Sequence, residues 1–313
     1  MRYYVYISLM IFLGLHGQIQ GQQIPNLSSG VYNHFHQNAG YTGNMDDCVN
    51  ITLGFVDQWT IFKRAPTTRF ADLHTSIRNP SKRRKPYFHS AGLSVETDHV
   101  GVFGQSNIRF SYAYHFPIAR NYMVGAGTFI GYRDMRYDPS VAILEEIEDP
   151  VFEGETFTMT AFPTINPGVW INNDRNYFGL SYFQALGGEM EFVGLGGNNF
   201  ERYLILDLGL THDLGNIFTV LTTLQAIQSK GLPLYTQWNA ILKYQDVISL
   251  GVGSRSDAFI GLFSLKFIKV FEVGYSYDLL RNKLYDRRAE KHEVQFSIKP
   301  CWPKKKRLFC PAY

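Results

Sequence analysis

The acidic run Glu145–Asp149 is the densest group of potential metal ligands in this sequence, because four of its five side chains are carboxylates. Calcium binds clustered carboxylates, but its binding loops usually alternate Asp with other residues and include a glycine, and this run does neither. We therefore interpret the run as a solvated loop.

Two Gly-rich stretches, 125–127 and 194–197, resemble phosphate-binding loops. Neither precedes a predicted helix whose N-terminus could bind an anion, so we interpret both as structural glycines, the first in a strand and the second in a loop.

The sequence offers little for nucleophilic or metal chemistry. Its nine histidines are scattered and no Gly-x-Ser-x-Gly elbow accompanies them, so no catalytic residue is predicted. The three cysteines are Cys48, Cys301 and Cys310, and no His or further Cys stands beside them at ligand spacing. We predict no metal site and no cofactor. Cys301 and Cys310 either form a disulfide in an oxidising compartment or remain as free or partner-bound thiols.

A period of two along most of the chain predicts β-strands. In residues 108–116, Ile, Phe and Tyr alternate with Arg, Ser, Ala and His. In residues 204–210 every second residue is Leu, and Asp207 falls on the other face. Similar alternation runs through 270–278 and 294–298. Apolar residues on one face and polar residues on the other are the pattern of a membrane β-barrel with a polar lumen.

The alternation predicts an all-β fold, a transmembrane antiparallel up-and-down β-barrel of about 14 strands. The approximate strand ranges are 50–58, 70–78, 88–96, 107–116, 122–132, 163–172, 176–184, 203–212, 216–227, 234–244, 246–254, 258–267, 269–278 and 290–299. Links after even-numbered strands are mostly short, whereas several after odd-numbered strands are long, as periplasmic turns and external loops would be. A soluble β-sandwich is the competing interpretation, but its outward faces would carry more Lys, Glu and Thr.

The composition also favours a sheet that faces lipid. Charged residues make up 18% of the chain, below the roughly 25% typical of soluble domains, and aromatic residues make up 15%. Beyond the first residues, no apolar segment is long enough for a transmembrane helix, which needs roughly 20 residues. The basic runs Lys82–Lys85 and Lys304–Arg307 are predicted to be solvated, and no nucleic-acid binding is expected.

The predicted organisation has four parts. A positively charged start, an apolar stretch and then small polar residues predict a signal peptide in residues 1–21. An N-terminal periplasmic arm is predicted in 22–49, the outer-membrane barrel in 50–299, and a basic, Cys-containing tail in 300–313. An even number of strands predicts that both termini lie on the periplasmic side.

Short motifs rich in aromatic residues, glycine and proline follow one another along the chain after the predicted signal peptide. They are Gln22-Gln23-Ile24-Pro25, Tyr32-Asn33, Asn38-Ala39-Gly40-Tyr41-Thr42-Gly43, Gln58-Trp59-Thr60, Phe62, Ala65-Pro66-Thr67, His74, Gly92-Leu93, Asp98–Gly101, Ser111-Tyr112-Ala113-Tyr114, Asp138-Pro139, Gly179-Leu180-Ser181, Gly274-Tyr275-Ser276-Tyr277-Asp278 and Glu293. In this order they resemble the PorP/SprF family. One departure is visible, because Asn38-Ala39-Gly40 stands where the family has Asn-Pro-Ala.

The resemblance implies an outer-membrane β-barrel of the type IX secretion system or of its gliding-associated relatives, embedded in outer-membrane lipid. Family members are needed for export of secreted proteins or of a cognate surface adhesin, and they work with periplasmic and lipoprotein components of the machine. The resemblance implies no catalytic residue. Besides this docking role, a small-solute channel and an outer-membrane enzyme remain as hypotheses, because the lumen volume depends on inward side chains from every strand.

The motif residues also have physical interpretations of their own. Asn38–Gly43 is a cluster of turn-forming residues that would let the arm bend back into or under the barrel. Trp59 follows a strand, at a position suited to the interfacial aromatic belt. Packing at the end of the barrel and contact with a partner both remain open for the motif residues Asn38, Ala39, Gly40, Tyr41, Gly43, Gln58, Trp59 and Pro66.

Overall fold

The secondary structure consists of many strands and a few very short helical elements. The computed structural model describes residues 27–44, 49–60, 62, 64–77, 87–119, 121–137, 158–187, 189–192, 195–199, 202–267, 270–281 and 290–300. The helical elements are the 3₁₀ turn Ser28–Tyr32, the α-helix α1 His34–Gln37 and the 3₁₀ turn Ala39–Tyr41. The strands are β1 Asn50–Gln58, β2 Thr67–Ile77, β3 Phe88–Val100, β4 Phe103–Ala119, β5 Tyr122–Tyr137, β6 Thr158–Asn172, β7 Asn176–Phe183, β8 Glu189–Phe192, β9 Leu195–Asn199, β10 Tyr203–Leu214, β11 Phe218–Ser229, β12 Tyr235–Tyr244, β13 Ile248–Arg255, β14 Ala258–Phe267, β15 Phe271–Leu280 and β16 Glu290–Ile298. No helix in the described ranges is long and apolar enough to cross a membrane.

All strands except β8 and β9 form one closed antiparallel barrel, which confirms the predicted up-and-down barrel of 14 strands. The barrel closes where β1 pairs with β16, from Ile51 opposite Ile298 to Gln58 opposite Lys291. β7 pairs directly with β10, because β8 and β9 form a separate hairpin in the link between them. This hairpin corrects the interpretation of 194–197 as a loop, since residues 195–197 belong to β9.

The two faces of the barrel wall differ in polarity, as the alternation predicts. On β4, Phe110 is 63% exposed on the outer face, whereas Arg109 beside it is 5% exposed and faces the lumen. On β10, Leu206 is partly exposed on the outer face and Asp207 is buried in the lumen. A sandwich would cover an apolar face with a second sheet. The barrel instead presents its apolar face outward, as contact with lipid requires.

The two ends of the barrel differ in the length of their links, and we call them the short-turn mouth and the long-link mouth. β1 begins and β16 ends at the short-turn mouth, whose other described links include 173–175, 215–217 and 245–247. Gln245 and Asp246 both have positive φ (49° and 53°), the type I′ turn that matches the twist of paired strands. The links at the long-link mouth are 59–66, 101–102, 138–157, 184–202, 230–234, 256–257 and 281–289.

Candidate functional site

Residues 27–44, which precede β1 in the chain, lie inside the barrel. We call Leu27–Asn44 the lumen segment; it contains both 3₁₀ turns and α1. Phe35, Asn38 and Thr42 are fully buried, with 0% exposure. The segment has no strand period and is rich in Ser, Asn, His and Gly, which favours turns over a strand. Of the two paths left open for the predicted arm, into the barrel or under it, these residues take the one into the barrel, and the bounds 22–49 and the periplasmic side of the arm stay predictions.

The lumen segment runs from the long-link mouth to the short-turn mouth. Leu27 packs against Val56 and Phe70, which lie toward the long-link ends of β1 and β2. Gly43 donates its backbone N–H to Nδ1 of His74 (3.0 Å), toward the short-turn end of β2. The described chain therefore begins toward one mouth, whereas β16 ends at the other. An even strand count fixes where the barrel's own first and last strands end, and the placement of both chain termini on the periplasmic side stays a prediction.

Toward the long-link mouth, two serines attach the lumen segment to carboxylates of the wall. The backbone N–H of Ser28 donates to Oε1 of Glu293 (2.8 Å), and that of Ser29 donates to Oε2 (2.7 Å). The Ser29 hydroxyl donates to the same Oε2 (2.6 Å), and the Ser28 hydroxyl donates to Asp278. Arg255 pairs with Asp278 at 2.8 Å. A buried carboxylate needs hydrogen-bond partners, and here the lumen segment supplies several of them.

In the middle of the lumen, the imidazole of His36 lies between two carboxylates. Its Nδ1 is 3.0 Å from Oδ2 of Asp72 on β2, and its Nε2 is 2.6 Å from Oε2 of Glu96 on β3. Asn33 donates from Nδ2 to the same Asp72 oxygen (2.6 Å). Burial alone would lower the pKa of His36, but Asp72 and Glu96 outweigh burial and raise this pKa to about 9. His36 is therefore protonated at neutral pH, and each of its nitrogens donates to a carboxylate.

His34, two residues earlier, makes contacts of the opposite kind. Its ring packs among aromatic side chains, with centroid distances of 4.8 Å to Trp170, 4.7 Å to Tyr177 and 5.3 Å to Tyr41. Burial lowers the pKa of His34 to about 3, so the ring is neutral. The lumen segment is thus held by an ionic contact at His36 and by aromatic packing at His34.

The motif turn Asn38–Gly43 packs against β5 and β6. Asn38 donates from Nδ2 to the carbonyl oxygen of Val169 (3.1 Å), and its Oδ1 accepts the N–H of Gly40 (2.8 Å). A Cβ on Gly40 would lie 2.7 Å from backbone atoms of both strands, so glycine is required there. Asn38, Ala39, Gly40 and Gly43 are buried and Tyr41 is partly buried. In this arrangement these residues contact the barrel wall, and contact of any of them with a partner stays a prediction.

Gln58, Trp59 and Pro66 lie at the long-link mouth, away from the motif turn. The N–H of Gln58 donates to the carbonyl oxygen of Pro66 (3.0 Å), and that of Trp59 donates to the carbonyl oxygen of Glu290 (2.8 Å). Gln58 also lines a cavity of about 480 Å³ at this mouth. The structure does not bring the two groups of motif residues together. Partner contact at Gln58, Trp59 and Pro66 stays a prediction.

Several features singled out in the sequence lie outside the described residues. They are Cys48, Cys301, Cys310, the basic runs Lys82–Lys85 and Lys304–Arg307, and the acidic run Glu145–Asp149. The disulfide between Cys301 and Cys310 therefore stays a prediction. In the part of the chain that the structure describes, no three His, Cys, Asp or Glu side chains converge as a metal site would require.

The four carboxylates that hold the lumen segment, Asp72, Glu96, Asp278 and Glu293, have no lumen contact assigned from the sequence, although Asp278 and Glu293 stand in the motifs that resemble the family. Each occupies an inward position of a strand and is nearly or fully buried. The usable signal is a carboxylate on the polar face of a predicted strand, because a charge enclosed in a lumen needs a partner there. That signal indicates a contact inside the barrel but does not identify the residue that makes it.

Comparisons with known proteins agree with this architecture. The family model "Type IX secretion system membrane protein PorP/SprF" matches residues 19–298. The toluene transporter TbuX of Ralstonia pickettii is similar in structure, with 10% identity, a TM-score of 0.51, and coverage of 84% of this chain and 92% of that one. A FadL homologue of Pseudomonas aeruginosa has 10% identity, a TM-score of 0.46, and coverage of 89% of this chain and 95% of that one. A search of curated proteins gives no match. At such identities the structural likeness concerns the fold alone.

Proposed function

The chain belongs to the PorP/SprF family of type IX secretion system membrane proteins, and from this premise we propose that it is a docking component of that machinery. The barrel holds periplasmic and lipoprotein components at the outer membrane and is needed for export of secreted or surface proteins, including a cognate adhesin of the gliding apparatus. The family and the fold are those of a secretion or transport membrane protein. In this proposal the barrel is neither an enzyme nor a channel for small solutes.

The filled lumen is the observation that carries this proposal. The lumen segment is bonded to the wall at three levels, through Ser28, His36 and Gly43. Beside it, a cavity bordered by Asp207 and Gln225 has a volume of about 10 Å³, room for about one water molecule. A solute channel needs a continuous aqueous path. The packing of the lumen segment therefore supports a role in holding other proteins.

The lengths of the links support one orientation in the membrane. In outer-membrane barrels, short turns face the periplasm and longer loops face the outside. In that orientation the end of β16 faces the periplasm, and the basic run Lys304–Arg307 follows it in sequence. The basic run Lys82–Lys85 links β2 to β3 at the same mouth. Clustered Lys and Arg steer acidic partners toward a surface, which suits a docking site for periplasmic components.

A small-solute channel is the competing function. It would require the lumen segment to leave the lumen, and His36 opposes this because it would leave two carboxylates without their partner. Removing one partner of a buried ion pair costs roughly 3–5 kcal/mol. The transporter TbuX shares the fold, but at 10% identity its substrate is not transferred to this chain.

Conductance and export together test the proposal. In planar bilayers, the purified protein is expected to conduct poorly, and a variant lacking Leu27–Asn44 is expected to conduct ions. In cells, deletion of the gene is expected to abolish export of a secreted or surface protein without a general permeability defect. Normal export together with slowed uptake of small solutes would reject docking and support the channel.

Recovery of partners from native membranes tests the docking surface. Neutralising Lys82–Lys85 and Lys304–Arg307 together is expected to reduce recovery of periplasmic components while the barrel still inserts. Lys230→Gln is the matched control, because Lys230 is exposed at the long-link mouth. Undiminished recovery with both runs neutralised would exclude these runs as the docking surface.

A further inference from the structure

Four charged side chains lie on the lumen face at the short-turn mouth. Every second residue of β12 faces the lumen, and Lys243 is at one of these positions. Lys266 is at the corresponding kind of position on β14. Glu272 is an inward residue of β15, and Lys299 follows the end of β16. We call these four residues the lysine recess. They differ from the basic runs of the links and the tail because they belong to the barrel wall itself.

The strand register shows that these side chains are neighbours. Lys266 lies directly opposite Glu272, whose Oε2 accepts a hydrogen bond from Nζ of Lys299 (2.9 Å). Lys243 lies opposite Ser249 on β13, and Ser249 lies opposite Ser264, two residues before Lys266 on the same face. Adjacent strands are about 5 Å apart, so the recess covers about 20 Å of the inner wall from β12 to β16.

The recess has an excess of positive charge. It contains three ammonium groups and one carboxylate, and Glu272 is paired with Lys299. Among the residues that the structure describes, neither Lys243 nor Lys266 has a carboxylate within ion-pair distance. Both lysines are partly buried, so water compensates their charges less than it does on an open surface. An anion that entered the recess would therefore be attracted by at least two unpaired ammonium groups.

The lumen segment above the recess supplies no negative charge to it. Tyr32 packs beside Gly274, two residues from Glu272, and burial raises the pKa of its hydroxyl, so that it stays neutral. His34 is neutral as well, because burial, reinforced by Lys243 and Lys299, lowers its pKa. The recess is thus closed on the inner side by neutral groups and faces the short-turn mouth on the other.

From this arrangement we propose that the lysine recess binds an acidic segment of a periplasmic partner protein, which enters the barrel from the short-turn mouth. The inference rests on the proposed docking function and names the chemistry of one contact. Charge complementarity selects the acidic segment. A lipid headgroup is disfavoured because the four side chains face the lumen, whereas lipids contact the outer face of the barrel.

A hexaglutamate peptide and the purified full-length protein test the site directly. We expect the fluorescent peptide to bind, and its affinity to fall steeply as salt rises from about 0.05 M to about 0.5 M, because screening weakens such contacts. The double variant Lys243→Gln/Lys266→Gln is expected to bind the peptide at least about tenfold more weakly than the unchanged protein. The conservative variant Lys243→Arg/Lys266→Arg should restore binding, and Lys230→Gln at the opposite mouth should bind as the unchanged protein does.

Three results would overturn the proposal. The first is unchanged affinity in the Lys243→Gln/Lys266→Gln variant while its mobility on unheated gels shows a folded barrel. The second is binding of inorganic phosphate as tight as that of the peptide, which would indicate a simple anion site. The third is tighter peptide binding when Asp46 and Asp47 are changed to Asn, because the chain's own carboxylates would then be the occupant of the recess.

Cross-linking in cells tests the partner. A photo-reactive residue at Ser249, between Lys243 and Lys266, is expected to cross-link to an acidic segment of a periplasmic protein, and the double Gln variant should abolish that product. A cross-link that maps to a segment without acidic residues would count against the recess. If the peptide binds but export is normal in the deletion strain, the docking function is refuted and the binding site in the lysine recess is not. If export is lost but the peptide does not bind, the binding site is refuted and the docking function is not.

Discussion

The Nε2 atom of His36 lies 2.6 Å from Oε2 of Glu96, and this contact joins the lumen segment to a strand 60 residues further along the chain. The opposite ring nitrogen reaches Asp72, and Nη2 of Arg109 lies 3.5 Å from the ring. Two carboxylates and one guanidinium therefore surround the imidazole. With His36 protonated, the charges of the cluster balance, and the lumen segment stays attached to the middle of the barrel.

The protonation of His36 predicts a loss of stability in alkali. Its pKa rises from 6.5 to about 9 on folding, a difference worth roughly 3 kcal/mol. Because the folded value is the higher one, this contribution is fully present below pH 6.5 and is lost as the pH rises through about 9. Urea unfolding in lipid vesicles between pH 6 and 10 should show this decline, and conductance should appear in the same range.

His36→Gln is the control for this pH dependence. The variant should be less stable at neutral pH, because it leaves Asp72 and Glu96 without their cation, and its stability should depend much less on pH between 6.5 and 9. An equally steep decline in the variant would show that another group causes it.

A methyl group on Gly40 should displace the lumen segment. The Cβ of Gly40→Ala would lie 2.7 Å from backbone atoms of β5 and β6, which cannot retreat without disturbing the sheet. We expect a cost of about 1–3 kcal/mol and an increase in conductance. Gly261→Ala is the matched control, since its nearest neighbour would be 3.9 Å away. Similar conductance in both variants would contradict the close packing of Gly40.

Adjacent residues of β10 should respond differently to substitution, because they face different surroundings. Leu206→Arg places a charge on the outer face and should cost about 2–4 kcal/mol if the residue lies near the bilayer midplane. Asp207→Asn should cost far less, because Asn keeps the oxygen that accepts a hydrogen bond from Nε2 of Gln225 (2.8 Å). Folding can be followed by the mobility of unheated samples on gels, and equal losses in both variants would refute the assigned facing.

Epitope labelling on intact cells tests the path of the lumen segment. We expect an epitope inserted between Gln23 and Ile24 to be reachable from outside, because Leu27 lies toward the long-link mouth. An epitope after Tyr313 should be protected, since β16 ends at the opposite mouth. Protease added to intact cells is expected to cut near Glu145–Asp149, in a link of the long-link mouth. Labelling of the C-terminal epitope alone would reverse the proposed orientation.

The fold of the barrel could be predicted from the sequence because the pattern that predicts each strand is local and is repeated along the chain. Each strand shows its own period of two, so the opposite facings of Leu206 and Asp207 follow from adjacent residues alone. The predicted strands correspond one by one to the strands of the barrel, with shifts mostly at their ends. The link lengths indicate which strand ends lie together, and closure follows from joining the first strand to the last.

The path of Leu27–Asn44 was decided only by the tertiary structure. The segment has no period, and its turn-forming residues fit a path under the barrel as well as one into it. The partners that select the second path come from distant strands: Glu293 for Ser28, Glu96 for His36 and Val169 for Asn38. A polar residue on an inward face shows that a partner is needed, but only the closed barrel brings that partner within hydrogen-bond distance. For this reason the sequence determined the wall of the barrel, and the tertiary structure determined that its lumen is filled.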